Sequence, residues 1–191
     1  ALAKIEACIA EIREWMADNH LKLNDSKTEC LIIGRPHVLN KIKLDGVKVG
    51  SSSVNISHSA KNIGAKLDEQ LSMCDQVNGL VRTCYGQLRQ IGHIRSCLTQ
   101  DATAILVNAT VTSRLDYLNS LLYGLPHNLL HKLELVQNSA VRLVLKRKRW
   151  EHVTPMLKSL HWLPIAYRIE FKILMLAYKC LHNEALYGAL S

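Results

Sequence analysis

The sequence predicts an α+β fold: a small antiparallel sheet with one helix, followed by an all-α helical bundle. Three observations carry the prediction. Apolar residues alternate with period two only in the early part of the chain, around "NKIKLDGVKVG". Asp45-Gly46 in that stretch is a strong hairpin signal, because a type I′ turn needs positive φ at both centres. From Leu71 onward the apolar spacing is almost entirely helical. The change of period divides the chain into residues 1–70 and residues 71–191. With 191 residues and 48% hydrophobic content, the chain can build one large or two small cores.

The elements follow in order. Ile5, Cys8, Ile9, Ile12, Trp15 and Met16 recur at helical spacing, with Lys4, Glu6, Glu11, Arg13 and Glu14 opposite, so residues 1–20 read as an amphipathic helix. Asn24 to Lys27 is a polar turn from that helix into a strand over 28–34, stopped by Gly34-Arg35-Pro36. Ile42, Leu44, Val47 and Val49 flank the hairpin turn, 51–53 is a loop, and "VNISHSAKNIGAKLD" holds one or two further short strands interrupted at Gly64. Val77, Leu80, Val81, Cys84, Leu88 and Ile91 form the face of the next helix. Ala104, Val107, Val111, Leu115, Leu118 and Leu122 form another, broken at Gly124-Leu125-Pro126. Leu129, Leu130, Leu133, Val136, Ala140, Leu143 and Val144 form a third. Thr154-Pro155 reads as N-cap and first position of a short helix. The last helix, from about Pro164 to Leu181, is apolar nearly all round and is either central in the bundle or made for a partner.

The net charge of +8 favours polyanionic partners, nucleic acid or an anionic membrane surface. Aromatic residues are only 5%, fewer than a single-strand binder built on base stacking usually carries. No apolar run has the length of a membrane span, roughly 20 residues. Six cysteines without a CxxC spacing read as reduced core residues in a nuclear or cytoplasmic protein. The chain opens on Ala inside a helical pattern, which implies a segment of something longer.

Few residues point to chemistry. Lys27 is a solvated turn lysine in one reading and a cation facing a pyrophosphate leaving group in the other. Lys146, Arg147, Lys148 and Arg149 end a helix, with Arg142 one turn earlier. A helix dipole acts within one turn, and four consecutive cations exceed what it needs, so backbone-phosphate contact weighs equally with dipole capping. Trp150 beside them has two readings, a stacking ring or an anchor for the next helix, of which core packing is preferred. Arg82, Arg89 and Arg95 extend the basic stripe along an earlier helix. His127 and His131 stand i,i+4 with no third ligand in register, as do His93 and Cys97, and both pairs read as solvated helix faces. There is no P-loop, GxGxxG or GxSxG, and no adjacent Asp-Asp for two-metal nucleotidyl transfer. Asp68-Glu69 is the sole acidic doublet on a strand end.

"EIREWMADNHLKLNDSKTECLIIG" resembles the palm segment that follows the catalytic aspartates in reverse transcriptases of non-LTR (LINE-type) retrotransposons. The carriers are Trp15, Asn19, Leu21, Leu23-Asn24, Lys27-Thr28-Glu29 and the apolar strand ending at Gly34. "KNIGAKLDEQLSM" is similar to the next element, with Ile63 where the family has Leu. "TSRLDYLNSLLYGLP", "LELVQNSAVRLV" and "LKSLHWLPIAYRIEFKILMLAYKCL" resemble the helical thumb and what lies beyond it. The resemblance implies the end of a palm plus a thumb from an RNA-directed DNA polymerase. Lys27 would lie near the incoming nucleotide. Asn62, Ile63 and Gly64 would support the primer terminus. Arg142, Lys146, Arg147, Lys148, Arg149, Arg82 and Arg89 would hold an RNA–DNA or DNA duplex by its phosphates, independent of sequence.

The fingers and all catalytic aspartates would lie upstream of Ala1. The Mg²⁺ of the intact family would therefore have no ligands here, and the chain alone would be inactive. Residues 1–70 would be poorly stable without the upstream palm, while the helical part would fold alone. The alternative reading is a non-catalytic basic helical module, derived from a retrotransposon, that binds a protein through its apolar faces.

Overall fold

The computed structural model describes residues 2–42, 44, 46–50 and 52–182. They form a mixed α and β structure in two compact units, Ala1–Asp75 and Gln76–Ser191.

The first unit opens with helix α1, Leu2–Asp18. Its covered stripe is Leu2, Glu6, Ile9, Arg13 and Met16, and none of these is fully buried. The spacing had placed Ile5, Cys8, Ile12 and Trp15 on the same face as Ile9 and Met16, but all four are exposed. Polar partners rotate the helix. Glu6 Oε1 accepts from the Lys48 amide at 3.2 Å, and Arg13 Nη1 donates to Asp25 Oδ1 at 2.6 Å. A 3-10 turn, Asp25–Lys27, leads to strand β1, Cys30–Leu31, which is much shorter than the expected 28–34. Helix α2, Pro36–Leu39, follows with Pro at its first turn, where its missing N–H is harmless.

Strands β2, Gly46–Val49, and β3, Ser52–Ser57, complete a three-stranded sheet of order β1-β3-β2. β2 and β3 are antiparallel, with Val47 opposite Val54, whereas β1 runs parallel to β3, with Cys30 opposite Ile56. The sheet is therefore mixed rather than wholly antiparallel. Helix α2 and strand β2 intervene between β1 and β3, and that length of chain permits a parallel crossover. The hairpin is not centred on Asp45-Gly46. Gly46 lies within β2, where an added Cβ would stand 2.7 Å from Val54 O, and Asp45 is outside the described residues. The chain reverses after β2, where Gly50 takes φ +65. That register turns Val47, Val49 and Val54 inward together.

β4, Ser59–Asn62, and β5, Ala65–Asp68, form a separate antiparallel hairpin. Its two loop residues, Ile63 and Gly64, have φ 47 and 83, as a type I′ turn requires. The turn type expected at Asp45-Gly46 is thus found here.

The second unit is helical. Helix α3, Cys74–Ile94, buries Val77, Cys84, Leu88 and Ile91 along one stripe. Helix α4, Gln100–Val107, starts from Thr99, whose hydroxyl accepts from the Ala102 amide at 3.2 Å. A π turn, Asn108–Thr112, joins it to helix α5, Ser113–Asp116. The helical pattern had run on to Leu122, but the helix breaks at Leu118, which takes φ 53 and starts a 3-10 turn, Asn119–Leu122. Helix α6, His127–Leu145, buries Leu133, Val136, Ala140, Val141 and Val144. Helix α7, Val153–Ser159, has His152 at its N-cap position without a side-chain cap hydrogen bond, so Thr154 and Pro155 fall inside its first turn rather than at the cap. Val141 packs with Met156 and Leu157, flanked by Leu145, Val153, Leu160 and Trp162.

Helix α8, Ile165–Leu181, buries only Ile165 and Ile169. Its residues Tyr167, Phe171, Leu174, Tyr178 and Leu181 are exposed. Among the described residues no helix is long and apolar enough to cross a membrane. The cysteines are not core residues as a group: Cys8, Cys74, Cys97 and Cys180 are exposed, Cys30 is half-buried, and Cys84 alone is buried.

Candidate nucleic-acid interface

The basic run begins where α6 ends. Lys146 takes φ 52, and the Arg147 amide closes back onto Arg142 O at 3.0 Å, a 6→1 helix closure with lysine in the left-handed position. The next two orphan carbonyls, of Leu143 and Val144, accept from Arg95 Nε at 2.8 Å and Nη2 at 2.7 Å. Arg95 Nη1 donates to Leu98 O at 2.9 Å. Arg95 is 8% exposed and caps a helix C-terminus, so it does not extend the basic stripe.

Glu151 then organises the turn. Its side chain accepts from the Lys148 amide at 2.7 Å and pairs with Arg147 Nη1 at 3.4 Å, while its carbonyl accepts from Arg142 Nη2 at 3.2 Å. Arg142 is half-buried, and its Nε is buried without a hydrogen-bond partner. Arg147 is exposed but shares its charge with Glu151. Lys146, Lys148 and Arg149 are exposed and make no ion pair among the described residues. Trp150 is not a core anchor. It is 77% exposed, with Lys148 Nζ 5.2 Å from its ring centre. The neighbouring tryptophan that packs inside is Trp162. Arg82 and Arg89 lie exposed on α3, whose C-terminal end meets the end of α6 through Arg95.

Sequence reasoning missed Glu151, because residues 146–151 form a non-helical turn to which the i,i+4 rule of helix faces does not apply. It also missed Asp116, whose carboxylate takes Arg168 Nη1 at 2.6 Å on both oxygens.

In the first unit Lys27 is exposed and closes the 3-10 turn, its amide donating to Asn24 O at 3.1 Å. Asn62, Ile63 and Gly64 form the tip of the β4–β5 hairpin. Ile63 is 74% exposed and holds φ 47, a conformation that β-branched residues avoid. Asp68 and Glu69 do not form a metal pair. Asp68 accepts from the amides of Gln70, Ser72 and Met73 and from the Ser72 hydroxyl. Burial alone pushes its carboxyl up, and those hydrogen bonds outweigh it, leaving the pKa below the ordinary value. Glu69 faces His58 Nδ1 at 2.9 Å. His127 and His131 stack at 6.0 Å, and His131 turns to Glu134. Among the described residues no three His, Cys, Asp or Glu side chains converge.

Comparison with protein-family models, with curated proteins and with solved structures found no match to this chain.

Proposed function

We propose that the helical unit grips the sugar–phosphate backbone of an RNA–DNA or DNA duplex without reading its sequence, in the manner of a polymerase thumb. The carrying observation is the presentation of Lys146, Lys148 and Arg149 on a turn that Glu151 holds in place. Phosphate binding needs exposed, uncompensated cations, and a fixed turn lowers the ordering entropy of the complex. On this reading the chain is part of a non-LTR reverse transcriptase. Lys27 and the hairpin tip at Asn62, Ile63 and Gly64 belong to its palm end. No catalytic step is assigned to the residues present.

Titrating a labelled RNA–DNA primer–template across a salt series tests the reading. Log affinity should fall linearly with log salt, and Lys146→Glu with Arg149→Glu should reduce the slope by about 2. An unaltered slope in that variant rejects it.

A second reading rests on a different observation. Tyr167, Phe171, Leu174, Tyr178 and Leu181 are all exposed along α8 at alternating spacings of four and three, the repeat of a coiled-coil seam. Such a stripe suits a protein interface. Concentration-dependent self-association that Leu174→Lys abolishes, together with no duplex binding at low salt, would favour this reading over the first.

A further inference from the structure

Trp150 has no packing role that accounts for it. A tryptophan side chain supplies one of the largest apolar surfaces available to a core, yet this one is 77% exposed. It sits in a turn whose backbone is fixed by Glu151 N to Lys148 O at 3.2 Å, by Lys148 N to Glu151 Oε1 at 2.7 Å and by Arg142 to Glu151 O. The indole is therefore displayed from an ordered segment. Lys148 Nζ stands over one face of the ring, 5.2 Å from its centre, and Arg149, next in sequence, is exposed. An aromatic face among phosphate-seeking cations is the combination that holds unpaired nucleotides, the ring taking the base and the cations the flanking phosphates. A paired base inside a duplex offers no free face to such a ring.

From this geometry we infer that Trp150 is a stacking platform for one unpaired base. The site then takes a duplex carrying a single-stranded overhang in preference to a blunt duplex. The inference rests on the phosphate-grip reading and names the substrate class of the same site. It also places stacking at a single position, in keeping with a chain that is only 5% aromatic.

The test is anisotropy titration of the full chain with two labelled duplexes of equal paired length, one blunt and one with a short unpaired overhang. The overhang should bind about tenfold tighter, in line with one base stacked on an aromatic ring. Trp150→Ala should collapse the ratio of the two affinities to about one, and Trp150→Phe should restore most of it. The residue is exposed, so circular dichroism should show both variants folded. Salt-dependent binding with equal affinity for both duplexes, or a ratio that survives Trp150→Ala, overturns the stacking inference and leaves the phosphate grip standing. No binding to either duplex overturns both.

Discussion

Single residues hold the turns of this protein, and two of them have separable effects. Lys146 occupies the left-handed position that ends α6, which disfavours any residue with a Cβ. Lys146→Gly relieves that conformation and should raise the unfolding free energy by about 1 kcal/mol. The same change removes an exposed cation from the basic turn, so on the proposed phosphate-grip reading duplex affinity should fall and the salt slope should drop by about 1. Denaturant melts and binding titrations on one variant would then move in opposite directions. A concurrent loss of both would mean that the lysine supports the fold.

Asp68 is the second case. Its folded pKa lies below its ordinary value, so its contribution is fully present above about pH 4 and is lost as pH falls through the folded pKa. The urea midpoint for the first unit should therefore decline between pH 6 and pH 3 more steeply in the natural chain than in Asp68→Asn. Equal slopes would sever the carboxylate from the stability of that loop.

At the scale of elements, the faces of α3 and α6 were legible, as were the end of α1 near His20 and that of α8 at Leu181, while the face of α1 and the break at Leu118 were not. Val77, Cys84, Leu88 and Ile91 in α3, and Leu133, Val136, Ala140 and Val144 in α6, repeat at the helical period and are buried as that period demands. Helix ends are usually read from glycine. Here α1, α6 and α7 each close by a 6→1 bond at 2.7 to 3.0 Å, with His20, Lys146 and His161 in the left-handed position. None of the three is a glycine, although the apolar patterns of α1 and α6 stop where these residues stand. The basic run was legible for the same reason as the faces, because it is local. The engagement of Arg142 and Arg95 was not, since it depends on carbonyls that tertiary structure brings to each guanidinium. Arg95 is the test of how α6 is held. Arg95→Ala leaves the Leu143 and Val144 carbonyls without their donor and should cost about 3 kcal/mol in a denaturant melt. Arg95→Lys should recover little of it, because an ammonium cannot reproduce a fork spanning three carbonyls. A loss below about 1 kcal/mol would show that water replaces the guanidinium and that the cap is dispensable.

Across the whole molecule, charge and burial divide in the same place. Residues 76–191 hold fourteen of the 24 Lys and Arg but six of the 16 Asp and Glu, so the net excess of +8 lies entirely in the helical unit. That unit also has the deeper core, with Val107, Val111, Leu133, Val136, Val141 and Val144 removed from solvent. In the first unit the buried apolar residues are Val47, Val49, Val54, Ala65 and Met73 among those described, and α1 buries none. Its apolar residues Ile5, Ile12 and Trp15 remain exposed. Each fully buried aliphatic side chain contributes roughly 2 kcal/mol, and every ordered residue carries an opposing entropy, so a unit with few buried side chains must open at lower free energy. Native-state hydrogen exchange on the full chain should therefore resolve two levels of protection. Amides of α3 and α6 should exchange only with global unfolding, and those of β2 to β5 through a cheaper opening that leaves the helices intact. The proposed phosphate grip, if it is the function of the helical unit, should then survive mild denaturant that has already opened the sheet. A single level of protection shared by both units would mean that the helical unit draws its stability from the sheet, and that no segment of this chain can hold a duplex by itself.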